Sequence, residues 1–223
     1  AEWLFMSMRG KPFSLRDGSA AVTGVILALS LPATAPWFVG VIGSFVGIGL
    51  GKVIFGGLGY NIFNPAMVGR AFVMIAFPAL LGASAYIVPD SQVDVLTMAT
   101  PLTAAKMEHV ATALNRLLLG NTNGSIGETS AIACLLGGIY LCVRKTASWQ
   151  IPAGVVLSCA VISLLVERGH IPGVVHELTA GALLFGACYI ATDPVSSPVT
   201  SAGRWIFGLL IGASLGGNIT PIG

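Results

Sequence analysis

Long apolar runs alternate with short polar or proline-containing stretches along most of the chain. A helix that spans a membrane needs about 20 predominantly apolar residues, so runs near this length predict spanning helices. The runs lie at 19–32, 36–54, 64–82, 128–143, 149–166, 174–192 and 199–216. The pattern therefore predicts an all-α, polytopic membrane protein that forms one transmembrane domain over residues 1–223.

Proline corners interrupt this pattern. One run ends at Leu31 and Pro32, and others begin at an Asn-Pro or Asp-Pro corner, at Asn64 and at Asp193. Broken helices are tolerated at membrane depth only where they line a cavity enclosed by protein. We therefore expect discontinuous helices.

The chain also resembles itself in two places. Residues 64–72 resemble 193–207, and residues 17–20 resemble 127–130. Two pseudo-symmetric halves built from broken helices would produce this similarity, and so would chance. The sequence leaves both explanations open.

The composition agrees with a membrane protein. Hydrophobic residues make up 55% of the chain and charged residues 9%, whereas an ordinary soluble domain carries about 25% charged residues. The 29 glycines are typical of helices that pack closely in a membrane. The net charge is +2 and no basic run is present, which argues against nucleic acid as a partner.

The basic residues predict an orientation, because cytoplasmic loops carry an excess of lysine and arginine. An inside N-terminal loop places the polar stretch 83–125 outside. The inside then collects Arg9, Lys11, Arg16, Lys52, Arg144, Lys145 and Arg204, against Lys106, Arg116 and Arg168 outside.

The strongest local signal is the segment 94–102 within that polar stretch, Asp-Val-Leu-Thr-Met-Ala-Thr-Pro-Leu. Taken alone, Thr100 followed by Pro101 is a common helix start, with threonine as the N-cap and proline at the first helical position. Spacing by itself favours this structural explanation.

Four blocks together give a second interpretation. Residues 52–72, 94–102, 124–130 and 191–196 resemble the NqrB/RnfD family of membrane subunits, in the family's order and over most of the chain. The Thr-Met-Ala-Thr-Pro-Leu and Phe-Asn-Pro-Ala-Met sequences within these blocks resemble the RnfD branch more than the NqrB branch.

The resemblance implies a covalent flavin. A flavin transferase of such systems joins the phosphate of FMN to the last threonine of an Asp-x-x-Ser/Thr-Gly-Ala-Thr pattern. That threonine is Thr100, with Asp94, Thr97 and Ala99 around it, and Met98 stands where the pattern usually has glycine. A tethered flavin cannot diffuse away, so the protein has to position it and tune its environment.

The resemblance also implies a second, non-covalent flavin, a riboflavin, held near Asn61 and Asn64. Both amides lie beside the glycine-rich stretch 56–59. A glycine-rich turn closed by asparagine side chains explains them equally well. The two interpretations are compatible.

Three acids, Asp17, Glu128 and Asp193, lie at the mouths of apolar runs. A helix N-terminus favours negative charge, so capping is the structural explanation. The functional one is cation coupling, which the resemblance implies for Asp17 and Glu128. Arg70 is a further costly charge inside an apolar run, and the sequence does not identify its partner.

No metal site is predicted. The cysteines lack a CxxC spacing and lie in apolar runs, so we interpret them as packing residues. The histidines lack a metal-ligand spacing and are interpreted as loop or interface residues. These residues are Cys134, Cys142, Cys159, Cys188, His109, His170 and His176.

The resemblance implies a subunit of an ion-translocating oxidoreductase in a bacterial or archaeal cytoplasmic membrane, which carries electrons on flavin and exports Na⁺ or H⁺. The complex would be the ferredoxin:NAD⁺ oxidoreductase, Rnf, or alternatively the Na⁺-translocating NADH:quinone reductase. Its other subunits would include an external FMN subunit and iron–sulphur subunits, and no catalytic residue is assigned to this chain. A permease without redox chemistry is the rival, and it has no need of the 94–100 stretch.

The chain is expected to be incomplete at its N-terminus and near 216–218. Family members carry further membrane segments before the region that matches Asp17, and the stretch 215–221 is abrupt for a membrane helix.

Overall fold

The structure is a computed structural model that describes residues 1–8, 10, 17–81, 101, 112–120, 122, 124–166, 171–180 and 182–219. Helices and turns make up this part of the chain, and it contains no β-sheet. The all-α prediction is confirmed. The chain divides into two compact units, unit 1 at Ala1–Ala85 and unit 2 at Tyr86–Gly223.

Unit 1 is built on a closely packed pair of helices. Its core consists of Leu27, Leu31, Val39, Ala66, Val73 and Leu81. The helices are α1 (Glu2–Met8), α2 (Ser19–Leu29), α3 (Trp37–Ile48) with a π-helical turn π1 (Gly49–Val53), α4 (Pro65–Ala76) and α5 (Pro78–Leu81).

Glycines allow α3 and α4 to touch backbone to backbone. A Cβ added at Gly47 would lie 2.5 Å from the carbonyl oxygen of Pro65, and one at Gly43 would lie 3.2 Å from a methyl of Val73. Small residues at helix contacts are the usual device for close packing in membrane proteins. The glycine-rich composition thus has a direct structural use.

Unit 2 has the same kind of interface between its two longest helices. A Cβ added at Gly154, on the first of them, would lie 3.2 Å from Cα of Gly208 and 3.2 Å from the amide nitrogen of Leu209, on the last. The helices are α6 (Leu114–Leu119), α7 (Ala131–Val143), α8 (Gln150–Val166), α9 (Ile171–Thr179), α10 (Leu183–Phe185) with a π-helical turn π2 (Gly186–Ile190), and α11 (Ser201–Ile219).

The predicted runs correspond to helices, and several are broken as expected. The run 64–82 is divided at Phe77 into α4 and α5. Helix α1 and the two π-helical turns were not predicted. Within the described ranges no unbroken helix has both the length and the apolar composition of a membrane span; Gly173–Thr179 and Leu183–Ile190, bent by 57°, meet these criteria as a pair.

Candidate functional site

The stretch predicted to carry the covalent flavin lies outside the described residues. This applies to Asp94, Thr97, Ala99 and Thr100. The following residue, Pro101, is buried and helical. The assignment of FMN to Thr100 stays a prediction.

The corner between π1 and α4 holds the two asparagines predicted to contact a second flavin. Its three glycines have positive φ angles, 125° at Gly56, 112° at Gly57 and 88° at Gly59, in a region that side chains other than glycine rarely adopt. The buried Asn61 donates from Nδ2 to the carbonyl of Phe63 at 3.1 Å. The corner is therefore a turn closed by an asparagine side chain.

Asn64 is the N-cap of α4. Its Oδ1 accepts a hydrogen bond from the amide of Ala66 at 3.0 Å, and Pro65 occupies the first helical position. The cap uses only the side-chain oxygen, and the NH₂ group of an asparagine supplies two further donors. Capping and a ligand contact can therefore coexist at this residue.

The three acids at the mouths of the apolar runs accept local hydrogen bonds. Asp17 accepts from the amide and hydroxyl of Ser19, at 2.9 and 2.7 Å. Glu128 accepts from the amide of Ser125 at 2.6 Å. Asp193 accepts from the amide of Val195 and the hydroxyl of Ser196. These are turn contacts and not helix caps, because the N-cap of α2 is Gly18, without a side-chain hydrogen bond, and the N-cap of α7 is Ser130. The cation-coupling role stays a prediction.

A buried ion pair in unit 1 was missed by the sequence analysis. The Nζ of Lys52, on π1, lies 2.6 Å from Oε1 of Glu2, on α1, and 2.5 Å from Oγ of Ser19. Together with Asp17, which hydrogen-bonds Ser19, these residues form what we call the Lys52 cluster. Lys52 was expected among the charges on the inside of the membrane, whereas the structure buries it with 2% of its surface exposed.

A second buried acid, Glu177 of α9, was also missed. It accepts a hydrogen bond from the hydroxyl of Ser163 on α8, and both side chains are buried. Its neighbour His176 accepts at Nε2 from the amide of Thr112 at 3.2 Å. The rule applied to Arg70, that a charge in an apolar run needs a partner, would have identified Lys52 and Glu177 as well.

The two arginines that follow the Asx-Pro corners differ. Arg204 donates from Nε to the carbonyl of Pro198 at 3.1 Å. Arg70 is half-buried and has no hydrogen-bond or ion-pair partner among the residues that the structure describes.

The structure agrees with the interpretation of the cysteines as unpaired packing residues. All four are free thiols, and Cys134, Cys159 and Cys188 are buried. The part of the chain that the structure describes contains no group of three or more histidine, cysteine, aspartate or glutamate side chains arranged to hold a metal ion. His109 and His170 lie outside that part.

Comparison with known proteins gives a consistent result. The model of the NQR2, RnfD, RnfE family matches residues 1–216. One subunit of the Na⁺-translocating ferredoxin:NAD⁺ oxidoreductase complex of Acetobacterium woodii is 41% identical over 212 residues, which are 93% of this chain and 64% of that protein.

Two further relatives extend this match. One subunit of the proton-translocating ferredoxin:NAD⁺ oxidoreductase complex of Clostridium ljungdahlii is 40% identical over 95% of this chain and 68% of its own length. One subunit of the Na⁺-translocating NADH-quinone reductase of Ectopseudomonas mendocina is 38% identical over 86% of this chain and 50% of its own length. The chain thus spans about two thirds of the first two relatives and half of the third.

Proposed function

Because the chain belongs to the NQR2, RnfD, RnfE family, we propose that it is the membrane subunit of an ion-translocating oxidoreductase, which carries electrons on bound flavin and couples them to export of Na⁺ or H⁺. The observation that carries the proposal is the family match over residues 1–216. The relatives named for the ferredoxin:NAD⁺ reaction are more similar than the one named for the quinone reaction. That order favours the Rnf-type complex over the alternative.

The surface of the helices supports a place in the cytoplasmic membrane, crossed several times. Large apolar side chains are exposed along α3, α7, α8 and α11, and a soluble monomer rarely exposes apolar area on this scale. Lipid or sister subunits would cover it. Examples from these helices are Trp37, Val41, Leu136, Ile139, Val143, Leu157, Leu165, Ile206 and Leu210.

A duplicated architecture is part of the proposal. In each unit an apolar helix passes into a π-helical turn, π1 or π2, and an Asx-Pro corner follows before a helix that carries a Gly-Arg pair. π-Helical turns are rare and are found mostly at functional sites. Two such turns at corresponding places favour a repeat over chance similarity.

FMN joined to Thr100 supplies the electron-carrying group in this proposal, and Asp94, Thr97 and Ala99 provide the surroundings that the transferase recognises. A permease needs no such stretch. The chain has no cluster-binding cysteine spacing, and in this proposal the electrons come from iron–sulphur or flavin subunits of the complex. A second flavin near Asn61 and Asn64 completes the path.

Flavin fluorescence in a denaturing gel of the purified complex tests the central claim. We expect a fluorescent band for the wild type, none for Thr100→Ala, and an undiminished band for the matched control Thr103→Ala, which removes a nearby hydroxyl outside the attachment pattern. Fluorescence that survives Thr100→Ala would refute the attachment site. A wild-type band without fluorescence would leave the permease as the better interpretation.

Cation coupling is proposed for Asp17 and Glu128. We expect Asp17→Ala or Glu128→Ala to lower cation-dependent turnover by about tenfold or more, because each removes a carboxylate near the membrane boundary. Flavin attachment should stay intact in both. Cation dependence equal to wild type in both variants would discard this role.

A further inference from the structure

Helices α8 and α11 begin side by side at one end of unit 2. Gln150, the first residue of α8, donates from Nε2 to the hydroxyl of Ser201, the first residue of α11, at 2.8 Å. The rings of Trp149 and Trp205 lie edge to face, with their centroids 5.5 Å apart. The two helix starts are therefore one contiguous surface.

Three basic side chains belong to this end of unit 2. Arg144 and Lys145 directly follow the last residue of α7, are exposed, and lie in the short segment that leads into α8. Arg204 lies in the first turn of α11, next to Trp205. None of the three forms an ion pair with a residue that the structure describes. We call these three residues, together with Trp149 and Trp205, the basic end of unit 2.

The acids that the structure describes in unit 2 do not neutralise this end. Asp193 lies in the segment that leads into α11, and its carboxylate accepts hydrogen bonds from that same segment. Glu177 lies near the far end of α8, where it contacts Ser163. Glu128 precedes α7, whereas Arg144 follows it. Three cations and one nearby acid leave the basic end with a net positive charge, which favours an anionic ligand.

The Arg204 side chain is held in place and keeps donors for a ligand. Its Nε donates to the carbonyl oxygen of Pro198 at 3.1 Å, which uses one of the five N–H groups of a guanidinium. The N–H groups of its two terminal nitrogens have no acceptor among the described residues. A planar fork of this kind fits two oxygens of a phosphate.

The neighbouring surface indicates that the phosphate belongs to a lipid. Trp149 is 60% exposed, and tryptophan is enriched where a membrane meets water, because its ring is apolar and its N–H is polar. Beyond the tryptophan pair, large exposed apolar side chains continue along α8 and α11, among them Leu157, Ile206 and Leu210. Cations, then tryptophans, then an apolar surface is the order of groups that a phospholipid requires. A free phosphate or an acidic protein would use the cations and leave the apolar surface unexplained.

We propose that the basic end of unit 2 binds an anionic phospholipid, with its phosphate at Arg144, Lys145 and Arg204 and its acyl chains along α8 and α11. Basic pockets at the ends of membrane helices bind anionic headgroups in this way. The headgroup carries a net negative charge, as in phosphatidylglycerol, because the ammonium of a zwitterionic headgroup would face the three cations. The site requires a membrane around unit 2, and it does not depend on the flavin.

The melting temperature of the purified complex measures this binding, because a ligand that binds the folded state stabilises it. The complex is washed free of lipid in a non-ionic detergent and then receives phosphatidylglycerol, phosphatidylcholine or inorganic phosphate at constant ionic strength. We expect the Tm to rise with the mole fraction of phosphatidylglycerol in the micelles and to stay level with the other two additions.

Two variants locate the site. The double variant Arg144→Gln, Lys145→Gln removes two exposed charges, and Arg204→Gln removes the third. We expect the mole fraction of phosphatidylglycerol at half-effect to rise about fivefold in Arg204→Gln, the usual effect of one basic residue at an anionic membrane surface. It should rise further in the double variant. If Arg204→Gln does not assemble, the double variant still decides, because neither of its side chains makes a hydrogen bond or ion pair with the described residues.

The matched control is Arg116→Gln, which removes an exposed arginine of unit 2 outside the basic end. Arg116 lies on α6, and this helix is at the other end of α7, because Leu118 accepts a hydrogen bond from Ser130, the N-cap of α7. The half-effect mole fraction should therefore equal that of the wild type.

Four results would overturn the proposal. An equal rise of the Tm with phosphatidylcholine would show a general need for lipid, and an equal rise with inorganic phosphate would show a free phosphate site. A half-effect mole fraction that is unchanged in both variants would show that these basic residues set only the orientation in the membrane. Loss of a sister subunit from the double variant, with an unchanged response to phosphatidylglycerol, would identify an acidic protein as the partner.

The outcome is separable from the test of the flavin. A complex that lacks covalent flavin and still shows the shifted half-effect in the variants would refute the proposed electron-carrying role and support the lipid site. A fluorescent complex whose Tm does not respond to phosphatidylglycerol would refute the lipid site alone.

Discussion

The two units meet the same requirement, a partner for a buried acid, in different ways. In unit 1 Glu2 lies against the Lys52 ammonium. In unit 2 Glu177 accepts a hydrogen bond from the Ser163 hydroxyl on the neighbouring helix. An ammonium offsets the charge of a carboxylate, whereas a hydroxyl solvates it without adding charge. Of these two contacts, the one in unit 1 thus joins two charged groups, and the one in unit 2 joins a charged group to a neutral one.

The acids proposed for cation coupling differ in the same sense. Asp17 of unit 1 is joined through Ser19 to the buried Lys52. Glu128 of unit 2 accepts from the backbone amide of Ser125, three residues away. The two acids have similar sequence neighbours. The hydrogen bonds of Asp17 nevertheless lead through Ser19 to Lys52, which is far away in the sequence and buried, whereas the hydrogen bond of Glu128 stays within one turn. The longer hydrogen-bond path is therefore in unit 1.

The largest expected effect comes from breaking the ion pair of unit 1. Lys52→Met removes the cation that faces Glu2, and we expect the free energy of unfolding to fall by about 3–5 kcal/mol, the usual cost of removing one partner of a buried pair. The double variant Glu2→Gln, Lys52→Met should lose less, because no acid is left facing an apolar side chain. Denaturant unfolding of the purified subunit measures both. Equal losses in the two proteins would show that the pair contributes no specific energy.

The buried acid of unit 2 should respond less. Ser163→Ala removes a hydroxyl that donates to the Glu177 carboxylate, and we expect a loss of about 1.5–3 kcal/mol, the range for hydrogen bonds to charged groups. The matched control is Ser158→Ala on the same helix, which removes a 2.8 Å hydrogen bond to the neutral carbonyl of Leu209 and should cost about 0.5–1.5 kcal/mol. Denaturant unfolding measures both variants. A larger fall in the free energy of unfolding for Ser158→Ala than for Ser163→Ala would contradict this account of unit 2.

Local patterns in the sequence were sufficient to predict the helices and the N-cap at Asn64. The apolar runs match the helices because hydrophobic length and proline corners are local signals, and an asparagine before a proline at Asn64 is itself the N-cap motif. The Glu2–Lys52 pair joins residues 50 positions apart. Its place in an apolar run indicates that Lys52 needs a partner, but no local pattern identifies Glu2 as that partner.

The candidate flavin site was predictable only in part, because local patterns encode turns and caps but not cofactors. The Asn61 turn follows from glycines with positive φ next to it. The role of Thr100 depends on a modifying enzyme and a cofactor, which neither apolar periodicity nor spacing encodes. It was reached through the resemblance alone, and the chemical test at that residue carries the assignment.

Glycine-to-alanine substitutions at the helix contacts should lower the stability of both units by similar amounts. Gly47→Ala places a Cβ against the carbonyl oxygen of Pro65, 2.5 Å away, so α4 has to move. We expect a loss of about 1–3 kcal/mol, the usual cost of overpacking. Gly40→Ala on the same helix is the control, since its Cβ would meet only Leu31 at 3.9 Å. Gly212→Ala, whose Cβ would meet the backbone of Val155, should destabilise unit 2 as Gly47→Ala destabilises unit 1. If Gly40→Ala lowered the free energy of unfolding as much as either variant, close helix packing would not explain the effect.

The smallest expected effect on stability is at Asn64, where two substitutions separate its role as the N-cap of α4 from its proposed contact with a flavin. Asn64→Ala removes the cap of α4 and should cost about 1 kcal/mol. Asn64→Asp keeps an oxygen for the Ala66 amide and places a negative charge at the helix N-terminus, where it is favourable, so stability should be retained while the amide donors are lost.

Acid extraction of non-covalent flavin from the purified complex then reads the second role directly. If the NH₂ group of Asn64 contacts a flavin, Asn64→Asp lowers the extractable flavin although the helix stays capped. If Asn64 is a cap and nothing more, Asn64→Asp keeps the wild-type flavin content. Asp193 precedes Pro194 in unit 2 as Asn64 precedes Pro65 in unit 1, and it already has the carboxylate that Asn64→Asp introduces, with its oxygens accepting hydrogen bonds from Val195 and Ser196. A carboxylate at such a corner is therefore compatible with the fold, which makes any change in flavin content attributable to the lost amide.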